Sequence, residues 1–258
     1  MGTSDIVTSK EGKYKKLQLT SEGPRLKKFG KGNSHVKICC LSDTHELHEQ
    51  LTMPKNIDIL LYGGDFTNWI TSNKTTVNKF LEWLKGIDAK YKILVCGNHE
   101  LYFSSLNKSK KDSLIEELKK GNIFYLENSF AEFKNLNLNV FGFPHILKRN
   151  IFYRANAFEI SGQKMNEICN QNFDKKMDIL VTHVPPYHIL DKTYKKKNLG
   201  SLSLLEDLIL RVKPKIHIFG HNHDIEGYQI YKYEDEEFLF INASKAFGIP
   251  FYFDYYYD

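Results

Sequence analysis

Thiolate chemistry has little to work with in this sequence. Its 258 residues hold four cysteines, Cys39, Cys40, Cys96 and Cys169, and no Cys-x-x-Cys pair. That excludes a zinc ribbon and a thioredoxin-type dithiol. Cys39, Cys40 and Cys96 lie inside apolar runs, where a thiol acts as a small hydrophobe, and such cysteines fit a reducing cytoplasm. Long apolar stretches are missing as well. Val36–Leu41 and Ile57–Tyr62, the longest mainly apolar runs, fall far short of the roughly 20 residues that span a membrane. The stretch from Met1 to Lys16 is polar and lysine-bearing, without an apolar signal region, so a cytoplasmic location is expected. Charge of one sign is scarce: the net value is +5, with lysines at Lys195–Lys197 and across Lys10–Lys31 set against an acidic turn at Glu234–Glu237. Aromatic residues are too sparse among those lysines to form a stacking track, so they read as solvated faces rather than a nucleic-acid groove. There is no internal repeat, and no low-complexity tract beyond Tyr255–Tyr257.

With 41% hydrophobic and 26% charged residues, the chain has the balance of a globular domain and the length for one large core. Residues 1–34 alternate Lys, Ser, Gly and Thr and read as a polar arm, with one edge strand at Tyr14–Leu19. From residue 35 to 258 the pattern is that of a single domain. Short apolar runs at Val36–Leu41, Ile57–Tyr62, Tyr91–Cys96, Met177–Thr182 and Lys215–Phe219 predict strands buried on both faces. Val77, Phe80, Leu81 and Leu84 repeat at helical spacing, as do Leu205, Leu208, Ile209 and Val212. The second of these helices opens with Ser203 three residues before Glu206, a capping-box spacing, and stops before Pro214. Further helices are expected around Leu114–Leu118 and near Phe158–Asn172. Strands are expected at Asn135–Phe141, Tyr228–Tyr233, Phe238–Asn242 and Phe251–Phe253. Alternating βα units followed by antiparallel strands predict an α/β fold, a four-layer α/β/β/α sandwich of two mixed sheets flanked by helices.

Each of the five buried strands runs into a residue that can hold a metal. Ser42-Asp43-Thr44-His45 follows the first, Gly63-Gly64-Asp65 the second and Gly97-Asn98-His99-Glu100 the third. His183 follows the fourth, and Gly220-His221-Asn222-His223 the fifth. Ligands bind at the carboxyl ends of strands in α/β sheets, so these loops can converge on one crevice. Neutral imidazole and carboxylate suit Zn, Fe or Mn. A carboxylate such as Asp65 can bridge two ions about 3.5–4 Å apart, leaving a site of net positive charge that attracts phosphate. The glycines beside these residues, Gly63, Gly64, Gly97 and Gly220, are expected to turn the backbone sharply off each strand. Taken singly the pieces are weak. Asp43-Thr44-His45 fits a surface turn, His183 before Pro185-Pro186 fits a loop histidine, and Asn98 fits a helix cap. Their conjunction at five strand ends is what points to a metal centre.

The series Asp43-x-His45, Gly64-Asp65, Gly97-Asn98-His99-Glu100, His183 and Gly220-His221-x-His223 resembles the calcineurin-like metallophosphoesterase superfamily. Gly64-Asp65-Phe66-Thr67, Thr182-His183-x-Pro185-Pro186, Pro214-Lys215-x-His217-x-Phe219-Gly220 and Ile241-Asn242-Ala243-Ser244 look like its metallophosphoesterase-domain-containing branch. Some animal members of that branch replace the first histidine of the Gly-His-x-His block with glycine, whereas this chain keeps His221. The resemblance makes residues 35–258 a metallophosphoesterase domain and implies two divalent metal ions, manganese in vitro, with iron or zinc as alternatives. It implies that Asp43, His45 and His223 hold the first ion, that Asn98, His183 and His221 hold the second, and that Asp65 bridges them. A bridging hydroxide would attack phosphorus in line, His99 would protonate the leaving oxygen as general acid, and Asn98 would also touch a phosphate oxygen. One departure stands out. Phosphoprotein phosphatases of the superfamily follow the bridging aspartate with an Asp-Arg pair; here Asn68-Trp69 stands there, so the residue that orients His99 is open.

The expected substrate is a small phosphodiester, nucleotide-like, with cyclic nucleotides included by analogy with that branch. A monoester dianion carries one more negative charge, and enzymes that favour it commonly add an arginine clamp. Trp69 occupies that place, although Lys148, Arg149 and Arg154 are cations that could reach the cleft. A phosphomonoesterase or protein phosphatase is the second reading. A low-activity scaffold is the third, but scaffolds usually lose a ligand or the acid, and none is lost here. Neither nucleic acid nor a membrane is an expected partner.

Overall fold

The computed structural model describes residues 5–10, 13–148, 156–245 and 247–258. Along Ser34–Leu41, Ile38 and Cys40 face one side of a sheet and Cys39 and Leu41 the other. Ile57–Tyr62 repeats the pattern, with Ile59 and Leu61 opposite Leu60 and Tyr62. Successive side chains on a strand point to opposite faces, so a run that is apolar throughout must be covered twice. The first set meets Val140, Ile179, Val181, Ile216, Ile218 and Ile241 in a core between two sheets. The second set packs beneath the helices Lys74–Gly86 and Lys108–Lys120, through Val77, Phe80, Leu81, Leu84 and Leu118. On the far side, Phe141, Leu180, Phe219 and Phe240 meet Met165 and Cys169 of the helix Gly162–Asn170 and Leu204, Leu205 and Leu208 of a helical segment over 202–212. Helix, sheet, sheet, helix is the four-layer sandwich that the sequence predicts.

One sheet has six strands, in the order Lys28–Gly30, Phe251–Tyr257, Ser34–Leu41, Ile57–Tyr62, Ala89–Leu94 and Ile123–Tyr125. All its neighbours are parallel except Phe251–Tyr257 against Ser34–Leu41. The other has eight, in the order Asp5–Lys10, Lys13–Gly23, Gly227–Tyr233, Glu236–Asn242, Ile216–Phe219, Ile179–Thr182, Leu138–Phe143 and Ser129–Phe133. Its centre, from Glu236–Asn242 to Leu138–Phe143, is parallel, with antiparallel pairs on both flanks. Strands ending at Leu41, Tyr62 and Leu94 therefore open at one edge of their sheet, and those ending at Thr182 and Phe219 at one edge of theirs. The N–H of Ser42 donates to the carbonyl of Ala243 at 3.0 Å and ties the two edges together.

Three stretches differ from expectation. Lys13–Gly23 and Lys28–Gly30, inside the segment read as a polar arm, are strands of the two sheets, and Asp5–Lys10 covers the strand expected at an edge. Backbone pairing needs no apolar run, and Leu17 and Phe29 are enough to anchor these strands in the core. The helix expected from Phe158 starts at Gly162, capped by Ser161 Oγ, which accepts from Lys164 N at 3.2 Å. Phe158 sits at φ 55, which breaks a helix, and Glu159–Ile160 is a short strand. The capping box at Ser203 does not form. Ser203 is already helical, and Ser201 Oγ accepts from Leu204 N at 3.2 Å instead. The four cysteines are buried and free. Among the described residues no helix is long and apolar enough to cross a membrane.

Candidate metal centre

Four of the polar residues at the strand ends sit in the left-handed backbone region: Asp43 (φ 57), His45 (φ 42), Asp65 (φ 54) and His221 (φ 67). Such conformations are uncommon outside glycine and cluster at functional sites, where surrounding bonds hold them. Asp43 N donates to Gly64 O at 2.8 Å, His45 N to Asp65 O at 3.1 Å, and His221 N to the Asp43 carboxylate at 3.0 Å. Of the four flanking glycines only Gly64 has a positive φ, of 100. Gly97 and Gly220 serve closeness rather than turning. A Cβ at Gly97 would run into Asp65 Oδ1, and one at Gly220 into Asp43 Oδ2.

Two groups of side chains converge across the edge. In the first, His223 Nε2 lies 2.9 Å from Asp43 Oδ1 and 3.2 Å from His45 Nε2. In the second, His183 Nε2 lies 3.0 Å from Asn98 Oδ1, 3.1 Å from His221 Nδ1 and 3.3 Å from Asp65 Oδ2. Asp65 clusters with His183 and His221 on one side and with His45 and His99 on the other, so its carboxylate lies between the groups. All seven residues expected as ligands are thus brought together. Asn98 does not cap the helix Leu101–Ser105; its oxygen faces His183.

The tautomers follow from the carbonyls. His183 Nδ1 is 2.8 Å from Gly63 O, which can only accept, so Nδ1 carries a hydrogen and Nε2 is the atom turned inward. His45 repeats this with Thr67 O at 3.2 Å. Fixing one ring nitrogen through the other is how metal-binding histidines are oriented. The inward nitrogens of His183 and His45 thus point at Asn98 Oδ1, Asp65 Oδ2 and His223 Nε2, a grouping that a proton or a bound cation between these atoms holds together. Ligand atoms about 2.0–2.2 Å from one ion at tetrahedral or octahedral angles lie about 2.9–3.5 Å apart, which matches these spacings. Imidazole, carboxylate and amide oxygen without thiolate suit Mn, Fe or Zn.

The electrostatics say the same. Burial is the largest single influence and works to raise both aspartates, but the bond from His223 with the charges of His183 and His223 at Asp43, and the charge and bond of His183 with the charge of His99 at Asp65, together outweigh it, so both carboxyls lie below their usual range. Burial pulls His183 down, yet Asp65 and Asp43 overcome it and raise the imidazole to about 9. In the protein alone a proton takes the cation's place, and a divalent ion would displace it. His223 is raised by its bond to Asp43. His99 is lowered by burial, with Asp65 opposing.

His99 reaches the same cluster. Its Nε2 is 3.6 Å from Asp65 Oδ2, its backbone N–H donates to Asp65 Oδ1 at 2.9 Å, and its ring packs edge-on to His45. His99 Nδ1 is buried with no hydrogen-bond partner among the described residues. Asn68 bonds to His45 instead, its Nδ2 donating to the His45 carbonyl at 3.2 Å. Lys148 is exposed. Arg149 and Arg154 lie outside the described residues.

Several residues that hold the site carried no role in the sequence reading. Glu100 is fully buried; its carboxylate accepts from the backbone N–H of Asp65, Gly97 and Thr67 at 2.9, 2.6 and 3.0 Å. Burial, with the Asp65 charge adding, raises its pKa to about 7. Ser244 Oγ donates to Asp43 Oδ2 at 3.0 Å, and Asn242 Oδ1 accepts from Ser244 N at 3.1 Å. Glu100, Asn242 and Ser244 stand inside the motif blocks, and that position was the only signal available.

A sequence model of the calcineurin-like phosphoesterase family matches residues 34–224. Over 229 residues the chain is 32% identical to metallophosphoesterase domain-containing protein 1 of Homo sapiens, covering 81% of this chain and 66% of that protein, about two thirds of its length. It is 33% identical over 225 residues to UPF0046 protein C25E10.12 of Caenorhabditis elegans, covering 81% of this chain and 75% of that one. Among solved structures it is similar to TT1561 of Thermus thermophilus, with a TM-score of 0.54 and 12% identity over 83% of this chain and 91% of that chain. Phosphopantetheinyl hydrolase PptH of Mycobacterium tuberculosis gives a TM-score of 0.51 at 14% identity, over 82% and 89% of the two chains. At such identities the structures speak to the fold alone.

Proposed function

This chain belongs to the calcineurin-like phosphoesterase family, and we propose that it is a metal-dependent hydrolase that prefers phosphodiesters. The observation that carries the metal dependence is the convergence of His183 Nε2 with Asn98 Oδ1, His221 Nδ1 and Asp65 Oδ2 at 3.0–3.3 Å. Asp43, His45 and His223 would hold one divalent ion, Asn98, His183 and His221 a second, with Asp65 shared between them. Such ions supply Lewis-acid charge for a phosphoryl oxygen and a source of hydroxide at neutral pH.

The chain's own residues orient the ester and move the proton. Asn98 Nδ2, whose partner Asn156 Oδ1 lies at a long 3.4 Å, is a donor that a phosphate oxygen can share. His99 protonates the leaving oxygen from Nε2. Burial lowers its pKa, and an anionic phosphate beside the ring brings it back up. Glu100, through the N–H groups of Asp65 and Gly97, keeps the second group of ligands in register with the first.

The preference for diesters rests on cation supply. Trp69, 37% exposed, follows Asn68, which is bonded to the His45 backbone, in the place where phosphoprotein phosphatases carry an arginine. The described arginines are engaged elsewhere: Arg25 with Pro250 O at 3.0 Å, and Arg211 with Cys169 O at 2.9 Å and Gln171 O at 2.8 Å. Among the described residues, therefore, no arginine is placed as the bidentate partner of a monoester dianion. The test is kcat/KM for matched aryl diester and monoester substrates under the same Mn²⁺ loading, with cyclic nucleotides in the series. The diester should win, and Trp69→Arg should move the ratio towards the monoester. A tenfold monoester advantage in the wild type would overturn the preference.

A further inference from the structure

A cavity of about 370 Å³ opens beside His221, and its walls are of a different character from the metal centre. Ile146, Leu147, Leu199 and Gly200 line it, and so does Val184, next in sequence to His183. Two polar residues, Lys197 and Asn198, line it as well. Lys197 is exposed, and Asn198 Nδ2 is 3.0 Å from His188 Nδ1. Substrate pockets run from roughly 300 to 1,000 Å³, so this one fits a small organic group.

Its walls are braced against the site. Asn222, between His221 and His223, donates through Nδ2 to the carbonyls of Leu190 and Lys192, both at 3.1 Å. Leu199 N returns to Asp191 O at 3.0 Å, and Gly200 N donates to Asp191 Oδ2 at 3.1 Å. Ser201 N donates to Pro185 O at 3.0 Å, and Tyr187 N to Ser201 O at 3.1 Å. Ile146 N donates to Phe158 O at 3.1 Å. The strand end that carries His221 thus fixes the position of the Leu199 wall.

We propose that this groove takes the organic group of a phosphodiester, and that it selects an apolar group of aryl or branched-alkyl size over a methyl group. This rests on the phosphodiesterase reading. On that reading phosphorus sits beside Asp65, His183 and His221, and a group leaving that point past His221 enters a space lined mainly by Ile146, Leu147, Val184 and Leu199, with Lys197 and Asn198. Apolar walls favour a group in proportion to the apolar surface they cover.

The test uses the full chain loaded with Mn²⁺ and two diesters with a common p-nitrophenolate leaving group, methyl and benzyl p-nitrophenyl phosphate. The benzyl ester should have the higher kcat/KM by tenfold or more. Leu199→Trp, which fills the groove, and Leu147→Ser, which makes it polar, should each bring the benzyl-to-methyl ratio of kcat/KM to within about threefold of one. Calorimetric binding of benzylphosphonate and methylphosphonate should show the same tenfold ratio. Equal kcat/KM for the two diesters, or a benzyl advantage that survives both substitutions, would overturn the proposal. If neither diester turned over while p-nitrophenyl phosphate did, the diester reading would fail alone, and the ratio of phosphonate affinities would still decide the groove.

Discussion

The carboxylate of Glu100 accepts the backbone N–H of Asp65 at 2.9 Å, so a fully buried acid without a place in the ligand set holds the aspartate that lies between the two groups of ligands. The same carboxylate takes the N–H groups of Gly97 and Thr67. Glu100→Ala leaves three buried donors unpaired, each at a cost of about 1–3 kcal/mol. The variant should lose about 3 kcal/mol or more in urea denaturation and bind metal more weakly at both positions. Wild-type stability with two tightly held ions would mean that Asp65 is positioned by something else.

His99→Ala should keep its metal and lose about 10²–10⁴-fold in rate, the range for a general acid. The loss should shrink for a leaving group as good as p-nitrophenolate and grow for an alkoxide, and rates on the two substrates check it. His99 also sits in a cluster with His45 and Asp65. Elemental analysis of the variant therefore matters as much as its rate, because loss of metal would make His99 a ligand.

His217 gives the fold a pH dependence of its own. Its Nε2 is 2.8 Å from Thr182 Oγ1, Nδ1 has no partner among the described residues, and burial lowers its pKa from 6.5 to about 3. Between those values the unfolded chain binds a proton that the folded chain refuses, so stability falls as pH falls from 6.5 towards 3. The slope is at most about 1.4 kcal/mol per pH unit. His217→Gln should flatten it. Denaturation from pH 7 to pH 4, taken as the difference between wild type and variant, isolates this group from the site histidines.

The two sheets were legible because apolar runs such as Ile57–Tyr62 admit one arrangement, strands covered on both faces, and the strand there has the bounds read from sequence. The convergence at the sheet edge was legible because five such strands end in Asp, Asn or His. A strand was legible at Tyr14–Leu19, but its full extent over Lys13–Gly23 and its place inside the sheet were not, since a flanking strand is held by backbone bonds that no side-chain period announces. Glu100 was passed over for a related reason. Its partners are backbone N–H groups, and nothing in the sequence says that a carboxylate will meet three of them. The role of Gly97 and Gly220 was misjudged because a need for space and a need for positive φ leave the same letter in a sequence.

Metal stoichiometry is the most direct test of the central claim. Protein stripped by chelation and shown to be metal-free by elemental analysis should be inactive on aryl phosphodiesters, and titration with Mn²⁺ should restore activity as two ions bind per chain. His221→Gly, which removes a side chain from the second group only, should leave one ion held clearly more tightly than the other. Full activity in the metal-free protein, or two unaltered tight sites in His221→Gly, would contradict the account.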